Sequence, residues 1–395
     1  MSTNVTHAID VEVDVWSDAN LRDPFPLYAE LRTLSPVVRL VRHDAYAVTR
    51  YSEIRDLLQE WESFTSAKGV GMSALANARA GRGVISSDPP IHTARRRVLN
   101  GQLLPAALKP HEDFIEARAT DYADRAVAAR DVEVVGELAV PFSVSLVCDL
   151  VGLPEEGRER LLPWARLGFD SWGPPGPRAD AAAAGYQHLV DYSNTVSVPE
   201  HLEPGRWGAG IYEAVDRGDL EPDAIHGVVF AYLQAGMDTT VNAIGTALYL
   251  FAQHPEQWDQ VRGDLTLVPS AVTEVLRYHS PIQRYTRVAN HDVELGGVSI
   301  PAGSRVVALV GSGNRDERRF DDPDRFDVTR NPIDHLAFGR GLHHCAGAGL
   351  ARLELSALLT RLAERVERVE LRDHEWDVNA TVHGFRSLDL TLHST

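Results

Sequence analysis

The side chain best suited to chemistry in this chain is the sulfur of Cys345, set in HLAFGRGLHHCAGAGLARLEL. Gly339, Gly341 and Gly347 surround it, His343 and His344 directly precede it, and an amphipathic run begins right after it. A sulfur at a helix start feels the partial positive charge of unpaired amides, which favours thiolate over thiol and makes a strong ligand or nucleophile. The glycines let the backbone approach something flat and bulky and let amide hydrogens turn toward the sulfur. Zinc fits poorly, because neighbouring histidine side chains diverge and no second Cys or His spacing completes a tetrahedral set. A cysteine protease would bring a local signature that this segment lacks. A plain buried cysteine would not need three glycines and a histidine pair around it.

A second candidate lies in an apolar stretch. After Glu221, EPDAIHG leads into VVFAYLQAGMDTTVNAIGTALYLFAQHP, which is apolar or small for most of its length and ends at His254-Pro255. Proline cannot continue a helix, and the length predicts one that crosses the interior buried nearly all round. Asp238 is its only Asp, Glu, Lys or Arg between Gly227 and Pro255, and a carboxylate there is costly unless it is used.

The elements that must position these residues read as mainly helical. PSAVTEVLRYHSP is a shorter helix with proline at either end, and GAGLARLELSALLTRLAERV a long amphipathic one. Strand signals cluster at 37–51, around an HD turn, and at 293–309, around GG and PAG turns. SWGPPGPRADAAAAG (171–185) reads as a linker. It is either a surface loop or, because Trp164, Phe169 and Trp172 precede it, a lid over a pocket. No fixed-period repeat and no like-charge tail is present.

Composition narrows the function. At 395 residues the chain can bury a sizeable core, and a formal net charge of -17 makes nucleic acid an unfavourable partner. Two cysteines cannot make a disulfide framework, which points to a reducing compartment. The first twenty residues carry acids where a secretory signal needs a basic flank, and no unbroken run of 18 apolar residues appears. The expectation is a soluble, cytoplasmic enzyme.

FGRGLHHCAG resembles the haem-binding loop of the cytochrome P450 family, Phe-Gly-x-Gly-x-His-x-Cys-x-Gly, filled by Phe338, Gly339, Gly341, His343, Cys345 and Gly347. The resemblance runs from about Asp23-Pro24 to the C-terminus and implies a single domain over 1–395 with the family's triangular, mainly α fold, a long buried central helix and small β-sheets. It makes Cys345 the axial ligand of haem b (heme b, iron protoporphyrin IX), where a thiolate pushes electron density onto the iron. Ala235-Gly236-Met237-Asp238-Thr239-Thr240 resembles the family's oxygen-binding kink. The small Ala235-Gly236 pair leaves room above the haem, a threonine hydroxyl bonds back to the carbonyl four residues earlier, and Asp238 with Thr239 relays protons. Glu274, Arg277 and Arg325 are implied as a buried network supporting the haem loop. His92, Arg96, Arg287 and His343 are implied as propionate partners. The expected activity is O2-dependent monooxygenation with electrons from NAD(P)H through a separate ferredoxin reductase and ferredoxin, with no membrane contact. Arg95 and Arg97, elsewhere on the His92–Arg96 helix, would add a basic patch for an acidic carrier.

GVGMS (69–73), FDSWGPPGPR (169–178) and AGMDTTVN (235–242) are most similar to the P450 group that oxidises para-substituted benzoic acids. Where that group has hydroxyl side chains one and two turns before the Asp, this chain has Ala231 and Gln234. Arg79, Arg82 or Arg284 would then have to supply a cation for a carboxylate. Gln283, Tyr285 and Val382 match pocket-lining positions. The expectation is hydroxylation or O-demethylation of a small aromatic. The alternatives are natural-product hydroxylation, or a haem-thiolate isomerase, dehydratase or haem sensor that consumes no O2.

Overall fold

The apolar stretch after Glu221 folds into a buried helix in two pieces, Ile225–Leu233 and Ala235–Gln253, broken at Gln234. The computed structural model describes residues 7–394, the Arg79 side chain excepted. In chain order, the helices that frame the break are α1 (Ile91–Leu103), α2 (Glu112–Ala129), α3 (Val140–Val151), α4 (Leu161–Asp170), α5 (Pro177–Thr195), α6 (Ile225–Leu233), α7 (Ala235–Gln253), α8 (Val268–Tyr278) and α9 (Ala348–Ala363). Threonine hydroxyls bond back to the helix just past the break. Thr239 Oγ1 donates to Ala235 O at 2.7 Å and Thr240 Oγ1 to Gly236 O at 3.3 Å, so two successive hydroxyls engage the carbonyls of the first turn of α7. Every residue from Thr240 to Leu248 is buried, and α7 packs on α3, α8 and α9 at the centre of the molecule.

The main sheet orders its strands Ile9–Val11, Val37–Leu40, Ala45–Val48, Arg305–Ala308, Tyr285–Ala289, Phe64–Thr65. The predicted 37–51 hairpin forms, with Val37 opposite Val48. On the Tyr285–Ala289 strand the period of two places Tyr285 and Arg287 on one face, toward the cysteine loop.

Three expectations need correction. Only the first part of 171–185 is a turn, since Pro177 takes the first position of α5, where its missing N–H is no loss. The C-terminal hairpin Val366–Trp376 with Phe385–Ser394 adds two strands outside the two predicted clusters; Leu388, Leu390 and Leu392 do alternate with polar residues, while register shifts at Val366/Arg368, Leu371/Asp373 and Glu375/Trp376 blur the pattern of the partner strand. The Val134–Val151 segment is long and apolar enough by composition to cross a bilayer, which a search for unbroken apolar runs passed over because Glu137 and Asp149 interrupt it; 67% of it is buried inside the protein, as in a core helix.

Candidate active site

The cysteine loop is held by its own backbone. Cys345 N donates to Phe338 O at 2.8 Å and Gly339 N to Leu336 O at 2.8 Å. Gly339 and Gly341 have φ of 65° and 63°, and a Cβ on Gly341 would sit 2.8 Å from Leu58 O, so the two turns require glycine. The Gly347 amide points at the sulfur, and α9 starts one residue later. The helix start does not win by itself. Burial pushes the Cys345 thiol up, against the opposing pull of the Gly347 amide, Arg96 and Arg352. A bound metal ion reverses that balance, because coordination deprotonates a thiol outright.

Beside the loop lies a knot of buried cationic and imidazole groups. His92 on α1 meets His343 edge-on with ring centroids 4.5 Å apart. Arg96, one turn further along α1, bonds Asn100 Oδ1 at 2.9 Å and His344 O at 2.5 Å. Arg287 is buried and bonds the Thr286 carbonyl at 2.8 Å. Neither Arg96 nor Arg287 forms an ion pair among the described residues, and both ring nitrogens of His92 and the Nε2 of His343 are buried without a partner. Burial, then Arg287, His92 and Arg96, pull His343 down to about 2. Burial and Arg96 pull His92 down to about 4, and burial brings Arg287 down to about 10. Groups that repel one another and still have hydrogen bonds to give are the complement of a dianion. Haem, a flat macrocycle with two propionates and an iron that takes a thiolate, fits both the knot and the sulfur.

On the other side, Ala235 is exposed and Thr239 half-buried while Met237, Asp238 and Thr240 are buried, so Ala235 and Thr239, four apart, share the open face of α7. Asp238 is fully buried. Its Oδ1 accepts from Arg166 Nε of α4 at 2.9 Å and from Asn242 Nδ2 at 3.2 Å, while its Oδ2 and one terminal nitrogen of Arg166 have no partner. Burial raises the Asp238 carboxyl against the pull of Arg166. Sequence reasoning missed Arg166, which stands 72 positions from Asp238 and carries no local signal.

A small apolar cluster, separate from the main core, joins Phe169, Ile282 and Val382, with Trp172 and Tyr285 against it. Ile282 and Val382 pair as a β-bridge, and the Phe169 and Trp172 rings meet edge-on at 5.2 Å. Tyr285 lies near enough to Cys345 for the sulfur to raise its phenol further, after burial, and its hydroxyl reaches Ala337 O at 3.5 Å. Phe169 and Trp172 were legible only as aromatics before a linker. Their place in this cluster depends on the 282 and 382 segments.

Several predicted positions turn elsewhere. Gln283 donates to Ser280 O at 2.7 Å and its Oε1 faces Gly311, where a Cβ would come within 1.9 Å, so it packs the scaffold and not the pocket. Gln234 accepts from Tyr186 OH at 2.8 Å and lies on Gly168, between α4 and α5, and Ala231 is half-buried against the main core. Arg284 is committed to Tyr28 OH, Val15 O and Ala380 O, Arg82 is exposed, and the Arg79 side chain lies outside the described residues. Arg95 is buried on Gly81 O, which leaves Arg97 exposed on that helix. Glu274 and Arg277 form the expected buried pair, but Arg325 does not join it. Its side chain is 64% exposed and pairs with Asp327, while only its carbonyl accepts from Arg277. Arg330 takes the place, with Nε 3.3 Å from Glu274 Oε1.

Comparison with known proteins agrees with this layout. Residues 211–379 match the cytochrome P450 family model. The chain is 37% identical over 376 residues to cytochrome P450 CYP199A2 of Rhodopseudomonas palustris, covering 94% of this chain and 91% of the relative. It is 31% identical to 6-deoxyerythronolide B hydroxylase of Saccharopolyspora erythraea, covering 96% and 98%. The crystal structure of CalO2 superposes with a TM-score of 0.84 at 29% identity, over 97% of this chain and 99% of that one.

Proposed function

This chain belongs to the cytochrome P450 family, close to the group that oxidises para-substituted benzoic acids, and on that footing we propose that it oxidises a compact, neutral aromatic substrate by hydroxylation or O-demethylation. The enzyme is a monooxygenase that uses haem b with electrons from NAD(P)H through redox partners. When bound, haem supplies the activation of O2 and the insertion of one oxygen atom. Cys345 is the ligand of its iron, and His92, Arg96, Arg287 and His343 hold its propionates. The orphaned imidazole nitrogens and unpaired guanidinium groups support that reading. Thr239 holds a hydroxyl at the open face of α7. Asp238, with one free oxygen and a raised proton affinity, hands protons toward it. A ferredoxin would dock on the cysteine-loop side, where Arg97 is exposed.

One observation carries the substrate class: the wall of Phe169, Ile282, Val382, Trp172 and Tyr285 is apolar and aromatic, and the Arg284 guanidinium beside it is committed to Tyr28 and two backbone carbonyls. A carboxylate against that wall would lose its hydration with no counter-charge from the described wall residues. Substrate dissociation constants from the haem spin shift, together with formaldehyde release, should favour a neutral aryl methyl ether over 4-methoxybenzoate by about tenfold or more, the factor that about 1.4 kcal/mol of desolvation gives. Tighter binding of the acid overturns the neutral-substrate reading. If neither compound shifts the spectrum, the small-aromatic reading falls.

A further inference from the structure

Both hydrogen-bond partners of Asp238 rest on one loop, the tip of the C-terminal hairpin at 377–384. Arg166 is reached through its backbone. The Asn379 side chain is 5% exposed and donates Nδ2 to Arg166 O at 3.0 Å, while its Oδ1 accepts from Thr381 N at 3.0 Å and Val382 N at 3.2 Å. Asn242 is reached by packing, since a Cβ on Gly384 would lie 1.9 Å from Asn242 Oδ1. The same tip carries Val382 of the pocket wall, and Thr381 Oγ1 donates to the carbonyl of Phe169, another wall residue, at 2.8 Å. The Arg166–Asp238 pair is single-pointed: one N–H to one oxygen, with a nitrogen of Arg166 and an oxygen of Asp238 left over in the interior. A pair held at one point changes strength with small movements of its support.

We propose that the hairpin tip is the positioning device for the Asp238 carboxyl, with Asn379 its positioning residue, so that contact at the pocket wall sets how firmly Arg166 and Asn242 hold the carboxyl. The inference rests on reading Asp238 as a proton donor to the cavity. A substrate that fills the wall presses on Val382 and Phe169, and the Asn379 amide ties that movement to the turn of α4 that carries Arg166. Asn379 touches neither the open face of α7 nor the cysteine loop among the contacts described, so it acts through Arg166.

The test uses the haem-loaded enzyme. Asn379→Asp keeps an acceptor for the Thr381 and Val382 amides and loses the donor to Arg166. Gly384→Ala reaches the same carboxyl independently, by displacing Asn242. Thr381→Val removes a neighbouring tie from the tip to α4 without touching either partner of Asp238. The measurements are the fraction of electrons lost as hydrogen peroxide, its pH profile, the ligand dissociation constant, and the infrared carboxyl band of Asp238, assigned by its loss in Asp238→Asn. Asn379→Asp and Gly384→Ala should each raise the peroxide fraction roughly two- to tenfold, the factor one hydrogen bond carries. Both should also displace the pH profile and move the carboxyl band, while ligand affinity stays within about twofold. Thr381→Val should leave the band and the profile in place. A wild-type band and profile in both Asn379→Asp and Gly384→Ala overturns the proposal, as does Thr381→Val matching them, which would make the tip a general support. If Asp238→Asn itself leaves peroxide and pH profile unchanged, the proton-donor reading fails instead.

Discussion

Two of the buried arginine–carboxylate pairs, Arg277–Glu274 and Arg166–Asp238, are built in opposite ways. Arg277 meets Glu274 at two points, 2.7 and 2.8 Å, both side chains are 0% exposed, and the remaining guanidinium donors reach Asn314 O and Pro323 O. Arg330 and the Asp327 amide add further bonds to Glu274. Arg166 meets Asp238 at one point and leaves polar atoms of both partners without a bond. A charge pair out of water holds its geometry only when its lone pairs and protons are satisfied. The first pair is a rivet between α8 and the segment leading to the cysteine loop. The second keeps a carboxyl available, and the interior tolerates it because Arg166, at 22% exposure, keeps some contact with water.

The comparison can be broken by experiment, starting with the largest expected effect. Arg277→Ala leaves Glu274 in the interior with only Arg330 and the Asp327 amide on one oxygen, and should lower stability by roughly 3–5 kcal/mol, with loss of haem retention. A denaturant midpoint near wild type would show that the rivet holds nothing.

Next comes a buried carboxyl with no ion pair among the described residues. Glu354 on α9 is fully buried with only the Ser143 hydroxyl beside it, and burial, against the weaker pull of that hydroxyl, pushes it up to about 8. An unfolded glutamate releases its proton near 4.5 whereas the native one keeps it to about 8, so the unfolded state binds fewer protons in between and stability falls as pH rises through that window. Glu354→Gln cannot ionise. It should be more stable than wild type by about 2–4 kcal/mol at pH 8, with the gain vanishing below pH 4.5, in thermal melts across pH. A difference that does not change with pH would mean Glu354 is partnered in solution.

The smallest effect is expected at the loosely held pair. Arg166→Gln removes the counter-charge from Asp238, but that carboxyl, already raised by burial, can take up a proton. The loss should therefore be about 1–2 kcal/mol and should grow from pH 6 to pH 8, because keeping Asp238 ionised becomes the cost as pH rises. Destabilisation as large as that of Arg277→Ala would erase the distinction between the pairs.

What could be read from the chain follows the reach of a single element. The Cys345 loop, the Thr239 to Ala235 hydroxyl bond and the Glu274–Arg277 pair each lie within ten residues, where helical spacing and glycine turns dictate geometry. Arg325 and Arg330 show where that reach ends. Both follow the same loop far from Glu274, yet the fold turns Arg325 to solvent and Arg330 inward onto backbone carbonyls of Asp321, Asp322 and Arg325. Arg284 and Arg95 repeat the lesson, as long side chains whose direction was fixed by carbonyls and hydroxyls that other segments brought to them.

The sequence by itself therefore determined the helical class, the sulfur in its glycine turns and the hydroxyl-bonded turn of the central helix, because each depends on neighbours along one strand or helix. Only the tertiary structure decided that Arg166 meets Asp238 across 72 positions, that residues near 169, 282 and 382 close one apolar wall, and that the hairpin tip touches both partners of the buried carboxyl. A flexible arginine or a lone aromatic has no preferred partner until other segments arrive, and burial then selects the one arrangement that leaves the fewest polar groups unsatisfied.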